Sequence, residues 1–184
     1  MKKILILQGG LNEEHKVSIN TANEVAKVLT KLKIDFIRFT VNPKTFVRDI
    51  SRFSNKHICF NSLHGSFGED GKIQKILKKK GFSFTHSNQT SSINCFNKIK
   101  SKEIIKKYKI LTPPHKLVKI KDIDHKYLEK ISIKFKKFVL KPVSSGSSYG
   151  LKVIKSKKDL SFFCKAIPKF KRNFDYNENF LIEK

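Results

Sequence analysis

With 184 residues, 39% of them hydrophobic, the chain is long and apolar enough for one large domain or two small cored ones, which excludes a disordered tail. Its apolar runs fall short of the roughly 18–20 residues that cross a bilayer, and the first is only about four residues long, so membrane insertion is excluded and a cytoplasmic protein is expected. The formal charge of +25 suggests nucleic acid, but the lysines are spread along the whole chain and only Ala22, Ala26 and Ala166 supply alanine, a bias that makes Lys the default surface residue and leaves no specific nucleic-acid partner expected.

In chain order, Lys3–Leu7 reads as a buried strand closed by Gln8-Gly9-Gly10. Val17, Ala22, Val25, Val28, Leu29 and Leu32 recur at helical spacing, with Ser18 placed to cap that helix. Residues 34–41 and 58–60 are two more strands. The loop His64-Gly65-Ser66-Phe67-Gly68-Glu69-Asp70-Gly71 leads into a helix bearing Ile73, Ile76 and Leu77, and residues 82–85 form a short strand. Such strand–helix alternation predicts a parallel sheet covered by helices.

The pattern then changes. Residues 91–108 read as one or two helices ended by Pro113-Pro114. Residues 115–120 are strand-like and 124–133 helical. Residues 137–141 and 151–155 are strands of an antiparallel hairpin with a long tip, followed by a helix over about 157–166 and a strand at 180–182. The boundary between two units is placed near residues 88–97, giving units of 1–92 and 93–184. Cys59, Cys95 and Cys164 are odd in number and widely spaced, so reduced thiols are expected rather than disulfides or a zinc site.

Three segments carry chemistry. The hairpin tip Ser144-Ser145-Gly146-Ser147-Ser148-Tyr149-Gly150 can lay backbone N–H groups against a phosphate, with Lys141 adding a fixed positive charge. It is not a Walker A loop, and local chemistry alone also suits a plain exposed tip. The loop 64–71 follows a strand of a parallel sheet, where ligands bind. There Asp70 is placed to cap the next helix and Glu69 to favour its positive end, while His64 can orient a carboxylate or hydroxyl. Glu13-Glu14-His15, after Gly9-Gly10, can hold an ammonium group or act as helix N-terminal acid.

Read together, these motifs resemble the D-alanine–D-alanine ligase family of the ATP-grasp superfamily. Its Gly-Gly and Glu-Arg-x-Val-Ser stretch is similar to Gly9-Gly10 and Glu14-His15-Lys16-Val17-Ser18. Its His-Gly-x-x-Gly-Glu-Asp-Gly-x-x-Gln is matched by His64 to Gln74, and its Tyr/Phe-Thr-Gly-Ser by Phe84-Thr85-His86-Ser87. Asn97-Lys98, Lys141-Pro142, Gly146 to Gly150 and Leu181-Ile182-Glu183-Lys184 follow in the family's order. Three residues depart from the family pattern: His15 stands for arginine, His86 for glycine and Asn97 for aspartate, the first two beside the substrate end.

The resemblance implies an α/β fold: an N-terminal Rossmann-like (pre-ATP-grasp) parallel-sheet domain, then an incomplete ATP-grasp α+β subdomain. It implies ATP-dependent joining of two D-alanines through an acyl phosphate for peptidoglycan, the cell-wall polymer. Glu14 and Ser147, linked by hydrogen bonds, would be catalytic, with Glu14, Ser18 and His64 holding the first D-alanine. Lys98, Lys141, Gly146, Ser147 and Ser148 would hold the ATP phosphates, and Glu183 and Lys184 the adenine hinge. Ligands for Mg²⁺, an arginine and the second D-alanine's site belong to the family's remaining third. The chain is therefore expected to carry no metal ligands and to be inactive alone. A homodimer is left open, as are a non-catalytic remnant that binds D-alanine or nucleotide and a basic nucleic-acid-binding protein.

Overall fold

The structure is a computed structural model that describes residues 3–184, and the chain divides into two compact units, Met1–Phe96 and Asn97–Lys184. The first unit is built on four parallel strands: β1 (Ile4–Gly9), β2 (Phe36–Val41), β3 (Ile58–Asn61) and β4 (Ser83–Phe84), in the order β2-β1-β3-β4. Alternation along β1 divides the core. Leu5 and Leu7 pack with Val41, Phe46, Ile50, Cys59, Ile73 and Leu77, whereas Ile6 packs with Ala22 and Ala26 of α1 (His15–Lys31).

The buried face of α1 matches the stripe that apolar spacing suggests only in part: Ala22 is buried and Val25 and Leu29 pack against the core. Val17, Val28 and Leu32 are exposed, and Ser18, Ala22 and Ala26 are buried. Small side chains suit the face nearest the sheet because they let the helix lie close to it. Ser18 does not cap the helix either. The cap position is Glu14, and the Ser18 hydroxyl accepts the N–H of Gly9 at 2.8 Å, tying helix to strand end. A short helix α2 (Phe46–Asp49), continued by a 3-10 turn at Ile50–Arg52, was not expected from sequence. It buries Phe46 and Ile50. Helices α3 (Lys72–Lys79) and α4 (Gln89–Phe96) complete the unit. The cap of α3 is Gly71 rather than Asp70, but the Asp70 carboxylate still accepts the N–H of Lys72 at 3.0 Å and pairs with its ammonium.

The second unit holds an antiparallel sheet of β5 (His115–Lys119), β6 (Phe138–Pro142), β7 (Lys152–Ile154) and β8 (Asn179–Glu183), ordered β5-β8-β6-β7. Helices α6 (His125–Phe135) and α7 (Lys157–Lys171) cover one face with a core that includes Leu128, Phe138, Leu140, Phe163, Phe170, Phe180 and Ile182. Each such Phe contributes roughly 2–3 kcal/mol by leaving water. Alternation puts Lys141 and Glu183 on the opposite face, the face to which α5 (Lys98–Lys107) is joined by the bond from Lys98 N–H to Val143 O at 3.0 Å.

The helical run expected over 91–108 is found as α4 and α5, and α5 ends at Lys107, several residues ahead of Pro113-Pro114, with Lys109 in the left-handed region at φ 59°. Helix α7 continues past Ala166 to Lys171 with Pro168 inside it, and the last turn is held by buried Ile167 and Phe170. Packing of that stripe outweighs the hydrogen bond the proline removes.

Candidate functional site

In the first unit the polar residues gather beyond the carboxyl ends of β1 and β3, where an open parallel sheet binds ligands. Glu14, Ser18 and Thr21 follow one another at helical steps along α1. Glu14 is buried (3% exposed), and its backbone N–H donates to Oδ1 of Asn12 at 3.0 Å. Asn12 reaches across to the next loop, its amide donating to the carbonyls of His64 at 2.8 Å and Ser66 at 3.0 Å. Nε2 of His64 shares a hydrogen bond with Oγ1 of Thr21 at 2.9 Å, while its Nδ1 lies 3.8 Å from a Glu69 carboxylate oxygen. The other Glu69 oxygen accepts the N–H of Gly65 at 2.9 Å. Gly65 has φ +67°, and a Cβ there would fall 2.3 Å from Glu14 Oε2. Only glycine lets this loop run so close to the carboxylate.

The departures His15 and His86 fall in this unit. Nδ1 of His15 bonds the carbonyl of Gly10 at 2.8 Å, so the imidazole braces the turn after β1. His86 lines a cleft of about 320 Å³ with Glu69, Ser87, Ser91, Cys95 and Phe96.

In the second unit the hairpin tip and three lysines converge. Lys98 opens α5, whose N-cap is Asn97. The Asn97 side chain accepts the N–H groups of Ile99 and Lys100, so it performs the capping that an aspartate would. The Lys98 ammonium donates to the carbonyl of Ser145 in the tip at 2.7 Å. Burial first, and then the Lys141 charge, lower the pKa of Lys98, with Glu183 acting against them. Lys141 is bonded to Glu183 Oε2, and Lys102 is ion-paired to Glu183 Oε1. Burial works to raise the Glu183 carboxyl, but the hydrogen bonds and charges of Lys102 and Lys141 outweigh it and hold the group below the usual carboxylate range.

The tip itself is taut. Ser147 and Ser148 both lie in the left-handed region, at φ 44° and 58°, each costing about 1 kcal/mol for a residue with a Cβ. Its far end is anchored at Gly150 (φ +69°), where a Cβ would stand 2.6 Å from the Phe174 ring. The Tyr149 hydroxyl donates to Asn173 O at 3.3 Å. Ser147 and Ser148 remain exposed. Lys184 is exposed at the end of β8, its N–H donating to Pro114 O at 3.0 Å.

The structure thus brings Glu14, Ser18 and His64 into one neighbourhood of the first unit, and Lys98, Lys141, Glu183 and the tip into one neighbourhood of the second. Thr21, Asn12 and Lys102 were missed from sequence. Two of them had a signal: Thr21 continues the Glu14–Ser18 spacing, and Lys102 lies one turn from Lys98.

Comparison with known proteins gives matches that run across both units. A D-alanine–D-alanine ligase from Pelagibacter ubique is 41% identical over 152 residues, covering 80% of this chain and 48% of its own. One from Bacillus anthracis is 32% identical over 183 residues, covering 99% and 57%. The crystal structure of D-alanine–D-alanine ligase from Bacillus anthracis matches 100% of this chain at a TM-score of 0.77 and 29% identity. The chain belongs to the D-alanine–D-alanine ligase family.

The match is partial in one direction. The chain spans about half the length of the curated ligases it matches, 48% and 57% of the two above. A second Bacillus anthracis ligase structure, complexed with ATP, is matched at a TM-score of 0.74 and 28% identity, over 58% of that chain. No protein-family model matches the chain. Among the described residues no helix is long and apolar enough to cross a membrane. No group of three or more His, Cys, Asp or Glu among them could hold a metal ion.

Proposed function

We propose that the protein is an ATP-dependent ligase that joins two D-alanines to D-alanyl-D-alanine, a peptidoglycan precursor, in the cytoplasm. The observation that carries this reading is the convergence of Lys98, Lys141 and the serine-rich tip in the second unit. The Lys98 ammonium, which burial and the neighbouring Lys141 charge disfavour, is matched to a polyanion.

On this reading Lys98, Lys141, Gly146, Ser147 and Ser148 bind the nucleotide's phosphates, and the backbone around Glu183 and Lys184 receives adenine. Glu14 holds the ammonium of the first D-alanine and His64 its carboxylate end, the imidazole being oriented by Thr21. Buried Ser18 acts indirectly by fixing the turn after β1. A carboxylate oxygen of the first D-alanine attacks the γ-phosphorus and ADP leaves, giving an acyl phosphate. The amine of the second D-alanine then attacks the acyl carbon and phosphate leaves. Glu14 and Ser147 each act catalytically by placing a reactant rather than bonding to it, which is how positioning and charge neutralisation accelerate phosphoryl transfer. The donor set of these residues does not suit Mg²⁺, and no step here is assigned to it.

Calorimetric titration with ATP tests the nucleotide half. Saturable binding is expected, weakened about tenfold or more by Lys98→Met or Lys141→Met, since charge-assisted bonds to phosphate are lost. Binding that ignores both substitutions refutes it. D-alanine-dependent release of phosphate and formation of the dipeptide test the ligase half.

A further inference from the structure

Lys102 is a half-buried cation that the roles above do not use. Its side chain is 12% exposed, as is that of Glu183, and the pair forms on Oε1 while Lys141 occupies Oε2. Two ammonium groups, those of Lys102 and Lys141, therefore hold one carboxylate, while Lys98 feels its charge without pairing to it, and the three lysines differ in what else they touch. Lys98 holds the Ser145 carbonyl, Lys141 projects from β6, and Lys102 projects from the second turn of α5.

When Lys141 turns its ammonium toward a phosphate, its bond to Glu183 loosens. Were it the sole partner, that would leave a half-buried carboxylate poorly compensated, which is unfavourable. Lys102 removes that penalty. We propose that Lys102 is a positioning residue that keeps Glu183 compensated, so that Lys141 can exchange the carboxylate for a phosphate oxygen of the nucleotide. The inference rests on the nucleotide reading above and adds to it an exchange of ion pairs on binding.

The test is a double-substitution cycle, with ATP and adenosine titrated separately into the unsubstituted protein, Lys102→Met, Lys102→Arg, Glu183→Gln and the Lys102→Met/Glu183→Gln combination. Lys102→Met is expected to weaken ATP about tenfold while adenosine changes by less than about twofold, a coupling of the size usual for contacting residues. Lys102→Arg, which preserves the charge, is expected to recover most of the ATP affinity. In the Glu183→Gln background there is no carboxylate to compensate, so Lys102→Met is expected to cost less than about twofold there.

An equal loss with and without Glu183 overturns the proposal, because Lys102 would then touch phosphate itself or act as bulk charge. So does ATP binding indifferent to Lys102. If Lys102→Met does not fold, Lys102→Gln takes its place in the same cycle. Failure of the unsubstituted protein to bind ATP is a different result: it overturns the nucleotide reading, and this inference with it.

Discussion

Gly65→Ala puts a methyl group where the first unit has least room. Two costs add. The residue sits at φ +67°, and holding a side chain in the left-handed region costs about 1 kcal/mol. The new Cβ would also stand 2.3 Å from Glu14 Oε2 and 3.0 Å from Asn12 Nδ2, against about 3.4 Å for ordinary contact, so the carboxylate must withdraw by about 1 Å. Glu14 is 3% exposed and its N–H is tied to Asn12, whose amide in turn holds the His64 and Ser66 carbonyls. Withdrawal breaks or bends at least one of these bonds, about 1 kcal/mol or more. The sum, about 2–3 kcal/mol, corresponds to a fall in Tm of roughly 4–12 °C for a chain of this size. Scanning calorimetry reads it, with Gly81→Ala as the control. Gly81 has φ +75°, and its nearest neighbour is the Asn55 amide at 3.2 Å, so only the backbone cost of about 1 kcal/mol applies there. Equal shifts in the two variants, or no shift in Gly65→Ala, refute the close approach of loop and carboxylate.

Further consequences can be measured directly. Glu183 has a folded pKa below its usual 4.5, so its ion pairs contribute fully above the unfolded pKa and are lost as pH falls through the folded one. Urea midpoints should hold down to about pH 5 and then decline, less steeply in Glu183→Gln, and identical slopes would count against the pairing. Lys109→Gly removes a side chain from the left-handed region at φ 59° and should stabilise the protein by about 0.5–1 kcal/mol, read as a higher urea midpoint. Burial pushes the Cys59 thiol up to about 12, whereas Cys95 is exposed. Iodoacetamide at about pH 8, with mass spectrometry to locate the adduct, should therefore label Cys95 in the native protein and Cys59 only after denaturation; native labelling of Cys59 would contradict its burial.

Much of the fold was legible because periodicity changes where structure changes. The run Ile4–Gly9 and the hairpin of β6 and β7 were both read from apolar and small-residue patterns. The buried face of α1 was read only in part. Ala22, Val25 and Leu29 do face the core, but serine carries little hydrophobic signal, so Ser18 was missed while the larger Val17, Val28 and Leu32 were wrongly included. The helix at Phe46–Asp49 is too short for a 3.6-residue period to register. The helix read at about 157–166 was cut short of Lys171 because local preference says nothing of Ile167 and Phe170 packing on either side of Pro168. At the site, the loop 64–71 and the tip 144–150 announced themselves by clustered glycines and serines. Ser18, by contrast, was taken for a cap because a serine near a helix start usually is one, while its hydroxyl in fact serves Gly9.

Charge was the most prominent feature of the sequence and the least informative, since 40 basic residues bury any functional lysine in a crowd. What separates Lys98, Lys102 and Lys141 from the rest is not charge but cost. An ammonium on an exposed surface is solvated and nearly free to be there, whereas one facing a second ammonium with little water must be compensated. Here a single carboxylate, Glu183, compensates two of them directly and a carbonyl holds the third. Such an arrangement leaves positive charge in excess at one place, beside a loop whose Ser147 and Ser148 are exposed. A fold under no demand for an anion would relieve that excess with one apolar substitution, because replacing a buried ion by a well-packed apolar residue is often stabilising. The cluster therefore points to a ligand more strongly than the net charge does, and it is found by asking which cations are expensive rather than where cations are many.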